Sequence, residues 1–280
     1  MISSEASVFG VIGDPIRHSK SPLMHNSALQ ALGIDGVYTA LHVKPEDIGE
    51  AIRGIRALGF RGINVTIPHK LNVIPLLDEL DEGAKFIGAV NTIVNDKGRL
   101  IGYNTDGIGY VRSLKEEVEP DLAGRRILVI GAGGAARGIV YALTQESPEV
   151  IWIANRTIER AEELALALQH CGNLVGIGTE QISDICGDVD IIINTTSVGM
   201  FPHMEETPIS LEGFRTDIIV SDLIYNPLET TILRQARERG SRTHGGLGMF
   251  VYQGAYAFEY WTGQTAPIEV MRQAVLKSLL

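Results

Sequence analysis

Hydrophobic positions along the first hundred residues alternate between short apolar runs and segments of helical spacing. Positions 7–12 carry a strand pattern that ends at Gly13-Asp14-Pro15. Ser21-Pro22 reads as an N-cap followed by proline at the first helical position, opening a helix to about residue 32. A strand is predicted at 37–42, and Ile48, Ile52, Ile55 and Leu58 give 45–58 one apolar helical face. Positions 62–67 read as a strand stopped by Pro68, and 71–77 as a short apolar helix disturbed by Pro75. Runs 89–94 and 100–103 flank Asn95-Asp96-Lys97-Gly98, a β-hairpin signal, and 107–118 is helical.

The polar stretch 120–125, with a proline and a glycine, is a plausible linker. Beyond it the alternation becomes regular. Strands are predicted at 126–130, 149–154, 174–177, 189–194 and 217–222, and helices at about 134–145, 157–170, 179–185 and 228–239. Strands separated by helices of this length imply a parallel, doubly wound sheet. Helices at 248–262 and 267–279 lie beyond that alternation, so they are expected to return to the first domain. The pattern predicts an α/β protein of two domains, residues 1–106 completed by 247–280 and residues 107–246.

The run at 126–136, RILVIGAGGAA, is a short strand, a Gly-x-Gly-x-x-Ala turn and the start of a helix, as in a dinucleotide-binding βαβ unit of Rossmann type. Gly131 suits the tight turn, Gly133 lets the backbone approach a pyrophosphate, and Ala136 allows close helix–strand packing. The helix N-terminus behind them favours an anion. At the end of the next strand stands Asn155-Arg156-Thr157, with Arg160 a turn later and no carboxylate for a ribose 2′-hydroxyl. Arginine suits a 2′-phosphate through its planar fork, which points to NADP. Read structurally, the same residues are two solvated arginines and an N-cap at Asn155 or Thr157.

The turn begins after some 125 residues, so the chemistry is expected upstream. If Pro68 opens a helix, Lys70 lies in its first turn, where a cation opposes the dipole; it has another task there, or it is an exposed lysine tolerating a small penalty. Asn104-Thr105-Asp106-Gly107 and His18-Ser19-Lys20-Ser21 are polar clusters with capping explanations of their own, and Asn91-Thr92 puts an amide in a strand. Together they set hydroxyls, amides, a lysine and a carboxylate at the ends of apolar strands, as a pocket for a small polyhydroxylated acid requires.

Composition narrows the class. The 280-residue chain is 45% hydrophobic and 21% charged, with a formal net charge of −10, which argues against nucleic acid or an anionic membrane as partner. Two cysteines without a CxxC, no signal-peptide pattern and no long apolar run lead to a cytoplasmic protein. The seven histidines show no metal-ligand spacing, and His25, His42 and His170 read as packing or surface residues. The loop 199–208 closes over the cofactor or is an ordinary surface loop. The sequence leaves a homodimer open.

Nine runs, GDPIRHSKSPLMHN, INVTIPHK, GAVNT, YNTDG, GAGGAAR, NRT, NTTSVGM, DLIYNP and GLGMFVYQGA, resemble in content and order the shikimate dehydrogenase family and cover nearly all of the chain. The resemblance implies reversible NADPH-dependent reduction of 3-dehydroshikimate to shikimate on the route to chorismate and the aromatic amino acids. It implies that Lys70 and Asp106 are the catalytic pair, that Ser19 and Ser21 hold the substrate carboxylate near Tyr225, and that Thr66, Asn91 and Gln253 bind hydroxyls or orient the ring. Gly131, Ala132, Gly133, Gly134 and Ala135 would bind the pyrophosphate, and Asn155, Arg156, Thr157 and Arg160 the 2′-phosphate. Thr196, Ser197, Leu223, Gly246 and Met249 would line the nicotinamide side, with Glu82 near the cofactor. Lys70 as an ammonium would supply the proton, so alcohol oxidation is expected to quicken toward alkaline pH. The rivals are an NAD-dependent quinate/shikimate dehydrogenase, whose relatives tend to carry an acidic residue where Thr157 stands, and a non-catalytic NADP-binding regulator, which could dispense with Lys70 or Asp106.

Overall fold

A computed structural model describes residues 2–279. They form two compact units, one from the residues up to Asp106 with those from Val251 onward, the other Gly107–Phe250. The second changeover lies four residues beyond the 246/247 boundary expected from sequence, inside a continuous helix, and the polar stretch 120–125 lies within the second unit rather than linking the two.

The first unit runs β1 (Ser7–Gly13), α1 (Ser21–Ala31), β2 (Gly36–His42), α2 (Ile48–Ala57), β3 (Gly62–Val65), β4 (Glu79–Leu80), α3 (Glu82–Ile87), β5 (Thr92–Asp96) and β6 (Arg99–Tyr103). Its sheet has the order β2-β1-β3-β5-β6-β4, with β1 parallel to β2 and β3, and β5 antiparallel to both β3 and β6. The hairpin between β5 and β6 turns through Lys97 and Gly98, both at positive φ, and Asn95 Oδ1 accepts from the Gly98 N–H at 2.8 Å. One face of the sheet buries Ile12, Ile63, Val65, Ile93 and Leu100 under Ile52 and Ile55 of α2.

Three sequence expectations need correction here. Pro68 opens no helix: residues 67–73 run as turns, and 71–77 holds only the 3₁₀ turn Ile74–Leu76, too short a segment to repay helix nucleation with Pro75 inside it. Ser21 is the first helical residue, Lys20 occupies the N-cap position, and no side chain caps α1. The six-residue α3 was not foreseen, although Asp81 caps it by accepting from the Ala84 N–H at 2.8 Å and Gly88 ends it in the left-handed region.

The chain enters the second unit through α4 (Asp106–Glu117) and continues with β7 (Arg126–Ile130), α5 (Gly134–Thr144), β8 (Val150–Asn155), α6 (Ile158–Leu168), β9 (Leu174–Gly178), α7 (Ile182–Ile185), β10 (Ile191–Asn194), β11 (Ile219–Asp222), α8 (Thr231–Glu238) and β12 (Arg242–His244). All six strands are parallel in the order β12-β11-β10-β7-β8-β9, which numbered from β7 and read from the β9 edge is 3-2-1-4-5-6. Alternate residues explain the unbroken apolar runs: Ile127, Val129, Ile191 and Ile193 join one core, and Leu128, Ile130, Ile192 and Val220 another. A parallel sheet with helices over both faces buries both sets of side chains, so its central strands do not alternate apolar with polar. The short polar strand β12 escaped the sequence pattern because three residues at a sheet edge carry no period.

Helices α9 (Leu247–Thr262) and α10 (Ile268–Leu276) close the chain, and from Val251 they belong to the first unit, as the sequence predicts. Trp261 is the key to that return. Its indole packs 5.4 Å from the Phe9 ring and donates to the Ile93 carbonyl at 3.0 Å. It lies over Gly62, where a Cβ would fall 2.0 Å from the indole nitrogen. Lys20 Nζ reaches the Ser278 carbonyl at 3.2 Å, tying the start of α1 to the end of the chain. Among the described residues no helix is long and apolar enough to cross a membrane.

The Trp261–Gly62 contact makes a prediction. Gly62→Ala overpacks a rigid, fully buried indole, so it should lower stability by about 1–3 kcal/mol in urea titration. An unchanged midpoint would show that the helix is not seated on β3 in this way.

Candidate functional site

The strand directions of the first unit bring the site together. β1, β3 and β6 end, and β5 begins, at the same edge of the sheet, because Ile12 pairs with Val65, Asn64 with Thr92, and Thr92 with Tyr103. The segments at that edge are the turns after Gly13, after Val65 and after Tyr103, and the approach to Thr92. They carry Ser19 and Ser21, Thr66 and Lys70, Asp106, and Asn91 in that order.

At its centre Lys70 Nζ lies 2.5 Å from Asp106 Oδ2, with the lysine side chain 20% exposed and the carboxylate 8%. The other carboxylate oxygen accepts from Asn91 Nδ2 at 2.8 Å. The orientation of this amide is forced, because Asn91 Oδ1 accepts from the Thr105 backbone N–H at 2.8 Å and only the oxygen can do so. The nitrogen must therefore face Asp106. The Thr105 and Thr92 hydroxyls complete the ring around Asn91, at 3.0 Å each. Asn64 extends it by donating to Thr92 Oγ1 at 3.1 Å, and its own oxygen accepts from the Tyr38 hydroxyl at 2.7 Å. Burial pushes the Tyr38 phenol well above its ordinary range, with Ser21 beside it opposing the shift. Such a fully satisfied buried network is rigid, and it aims a charged pair at one spot.

Sequence reasoning found Lys70 on a premise the structure removes, since no helix dipole acts there. It missed Thr105, Asn64 and Tyr38 as members of the network. The signal available was polar side chains in strands, as with Asn64 in the wholly buried β3. Of the remaining site residues of this unit, the Ser21 backbone N–H donates to Ser19 Oγ at 3.3 Å, Thr66 follows β3 beside Ile12, and Gln253 lies half-buried on α9. Glu82 is exposed in the first turn of α3, where an acidic residue suits the helix dipole, and it belongs to the first unit while the other expected cofactor residues belong to the second. His25 is buried, stacked 4.3 Å from Tyr38, and burial lowers its pKa to about 3, so it is a neutral packing residue.

In the second unit, Gly131 turns at φ +109°, and a Cβ there would meet Thr195 Oγ1 at 2.6 Å. The turn lies beside the switch point of the sheet, between β7 and β10. At Gly133 and Gly134 an added Cβ meets nothing within 4 Å, so the space outside the turn is open. No side chain caps α5, and its first N–H groups have no intrahelical acceptor. An open cradle of N–H groups fits a dinucleotide pyrophosphate, with Ala132 and Ala135 beside it. At the end of β8, Asn155 Nδ2 donates to the Thr157 carbonyl at 2.8 Å, and Thr157 takes the N-cap position without a side-chain bond. Arg156 and Arg160 are exposed, and among the described residues neither makes an ion pair. Arg160 sits in the first turn of α6, where an unpaired cation opposes the dipole, so the local structure gives it no reason to be there.

The ends of β10 and β11 carry the other polar residues. Asn194 pairs in register with Asp222, and its Nδ2 donates to Asp222 Oδ1 at 3.1 Å. Asn194 Oδ1 accepts from the Thr196 N–H at 3.0 Å and hydroxyl at 2.7 Å. Asp222 accepts from the Ile224 N–H at 3.0 Å and the Thr230 hydroxyl at 2.7 Å. Ser197 is exposed, Leu223 and Met249 are half-buried, and Gly246 lies so close that a Cβ would be 2.0 Å from the Leu223 carbonyl oxygen. Tyr225 stacks 4.4 Å from Phe250, and burial raises its pKa. Neither Asn194 nor Asp222 was singled out from sequence, although each is a polar residue closing a largely apolar strand.

Comparison with known proteins finds matches over nearly the whole chain. Family models match residues 11–93 (Shikimate dehydrogenase substrate binding domain), 113–205 (Shikimate / quinate 5-dehydrogenase) and 246–276 (Shikimate 5'-dehydrogenase C-terminal domain). A shikimate dehydrogenase (NADP(+)) of Geobacillus kaustophilus is 54% identical over 272 residues, 97% of this chain and 98% of that protein. A crystal structure of a shikimate dehydrogenase in complex with NADP+ superposes with a TM-score of 0.94 at 44% identity, covering 100% of this chain and 98% of the other. The shikimate 5-dehydrogenase of Thermus thermophilus, in complex with NADP(H) and shikimate, superposes at 0.88 with 36% identity, covering 98% and 100%.

The site also sets a pH dependence. Burial pushes the Asp222 carboxyl up to about 6, against the lowering effect of its three hydrogen bonds. A folded-state pKa above the unfolded value of 3.8 means that the folded chain binds the extra proton. This group's contribution to stability is therefore fullest below about pH 4 and is lost as pH rises through 6, a cost of about 3 kcal/mol at neutral pH. Asp222→Asn should melt higher than wild type at pH 7.5, with the difference shrinking toward pH 4.5. A difference independent of pH would rule this carboxyl out as the titrating group.

Proposed function

The chain belongs to the shikimate dehydrogenase family, and we propose that Lys70 and Asp106 are the catalytic pair of its reaction. That reaction is the reversible NADPH-dependent reduction of 3-dehydroshikimate to shikimate, a step toward chorismate and the aromatic amino acids. The observation that carries the assignment is the 2.5 Å contact between Lys70 Nζ and Asp106 Oδ2, held from behind by Asn91. Bound NADPH supplies the hydride. As the carbonyl oxygen gains negative charge, the Lys70 ammonium stabilises it and gives up a proton to it. In the oxidation direction Lys70 accepts that proton. Asp106 keeps the ammonium aimed, and Asn91 keeps Asp106 from rotating away.

The first unit is read as the substrate domain. Ser19 and Ser21 take the substrate carboxylate, and Thr66, Asn91 and Gln253 take the ring and its hydroxyls; Tyr225, expected near that carboxylate, belongs to the second unit. The second unit is read as the NADP domain. The turn from Gly131 to Ala135 takes the pyrophosphate, and Asn155, Arg156, Thr157 and Arg160 the 2′-phosphate, which would supply the anion that Arg160 lacks locally. Thr196, Ser197, Leu223, Gly246 and Met249 lie at the nicotinamide side, and Glu82 is kept as a cofactor contact. The reading places the enzyme in the cytoplasm and leaves room for a homodimer.

Three measurements test it. Absorbance at the NADPH band, with shikimate and quinate each offered with NADP and with NAD, should show shikimate with NADP as the preferred pair; activity confined to NAD and quinate would overturn the substrate and cofactor assignment. Lys70→Ala should lower kcat by roughly 10²–10⁴-fold with KM little changed, and a loss confined to KM would make Lys70 a binding residue. Arg156→Ala and Arg160→Ala should each raise KM for NADP by about tenfold, the loss of one charge-assisted hydrogen bond, and leave KM for NAD unchanged. Equal effects on both cofactors would remove the 2′-phosphate role.

A further inference from the structure

We propose that Asp222 is a positioning residue for the nicotinamide half of the cofactor, acting through Asn194 to hold three loops in one arrangement. The proposal rests on the reading of the chain as an NADP-dependent dehydrogenase. Asn194 and Asp222 are the last residues of neighbouring parallel strands, and they pair in register, so their side chains stand side by side. Both are fully buried.

The carboxylate fastens its own loop first, accepting from the Ile224 N–H at 3.0 Å and from Thr230, just before α8, at 2.7 Å. Its link to Asn194 at 3.1 Å then reaches the second loop. The rest of the Asn194 amide fastens that loop: Oδ1 takes the Thr196 N–H and hydroxyl, and Nδ2 also donates to the Val198 carbonyl at 3.3 Å. Thr196 closes the turn, its hydroxyl accepting from the Val198 N–H at 3.2 Å. The third loop is laid on the first, since the Gly246 N–H donates to the Ile224 carbonyl at 3.2 Å and a Cβ at Gly246 would be 2.0 Å from the Leu223 oxygen. One carboxylate thus sets Thr196, Leu223 and Gly246 relative to one another. None of these bonds involves the pyrophosphate turn or the arginines after β8, which stands on the far side of β7 from β10 and β11. The link should therefore govern one end of the dinucleotide and not the other.

That separation supplies the test. Calorimetric titration of Asp222→Ala with NADP+ and with adenosine 2′,5′-bisphosphate, which has the adenosine end alone, distinguishes positioning from general loosening. NADP+ binding should weaken and kcat with shikimate should fall by about tenfold each, the loss of one net hydrogen bond at the reacting end, while the bisphosphate binds as in wild type. Asp222→Asn should restore both, because its oxygen still accepts from Asn194 and Ile224 and the Thr230 hydroxyl can turn to accept. Parallel weakening of both ligands, or no change in either NADP+ binding or kcat, overturns the proposal. Should Asp222→Ala fail to fold, Asn194→Ala cuts the same link from the other loop and is read by the same outcomes. Wild-type protein that does not bind NADP+ would instead overturn the cofactor reading on which the proposal stands.

Discussion

The carboxylate of Asp106 is divided between two partners, Lys70 on one oxygen and the Asn91 amide on the other, and the geometry of the first unit follows from that division. A carboxylate 8% exposed must be satisfied on both oxygens, or its desolvation costs several kcal/mol. Satisfying it requires the turn after β3, the start of β5 and the segment after β6 at one place. The sheet meets that demand by running β5 antiparallel between β3 and β6. The amide is locked in turn by a backbone N–H, so the polar end of the network is set by main chain and the charged end is left to act.

The second unit works by a different constraint. Its central strands β7 and β10 are apolar on both faces, so apart from Ser221 within β11, held by Tyr110 and His244, nearly all polar groups stand where strands end. There the structure concentrates them: the glycine turn after β7, Asn155 to Arg160 after β8, Asn194 at the end of β10 and Asp222 at the end of β11. This is the crevice at the carboxyl ends of a doubly wound sheet where such folds bind their ligands. Arg160 and Lys70 share a feature that stability alone does not explain, a cation placed without local helical support. In the first case an external anion would answer it, and in the second Asp106 does.

The hairpin at Lys97-Gly98, the glycine turn at 131–136, the strand–helix alternation after residue 126 and the return of the last helices were all legible, because each depends on local periodicity or on a backbone position that few residues can occupy. Lys70 was found for a reason that fails, since Pro68 lies in a turn. What survives is that a lysine stands among amides and hydroxyls at strand ends, together with the family resemblance carried by the run INVTIPHK. Ser21 illustrates the opposite error: it looks like an N-cap, yet it is the first helical residue and leaves α1 uncapped. Short elements such as α3 and β12 were missed because a few residues carry no period, and tertiary contacts decide them.

By itself the sequence determined the two-unit α/β plan, the dinucleotide turn, the absence of a carboxylate at the end of β8 and the family to which the nine runs point. These are properties of residue type at neighbouring positions. Only the tertiary structure decided which polar groups share a hydrogen bond. Lys70 and Asp106 are 36 positions apart and Asn194 and Asp222 are 28. Whether such residues meet depends on strand order and register, which arise from burying apolar faces distributed over the whole unit, and no local pattern carries that information.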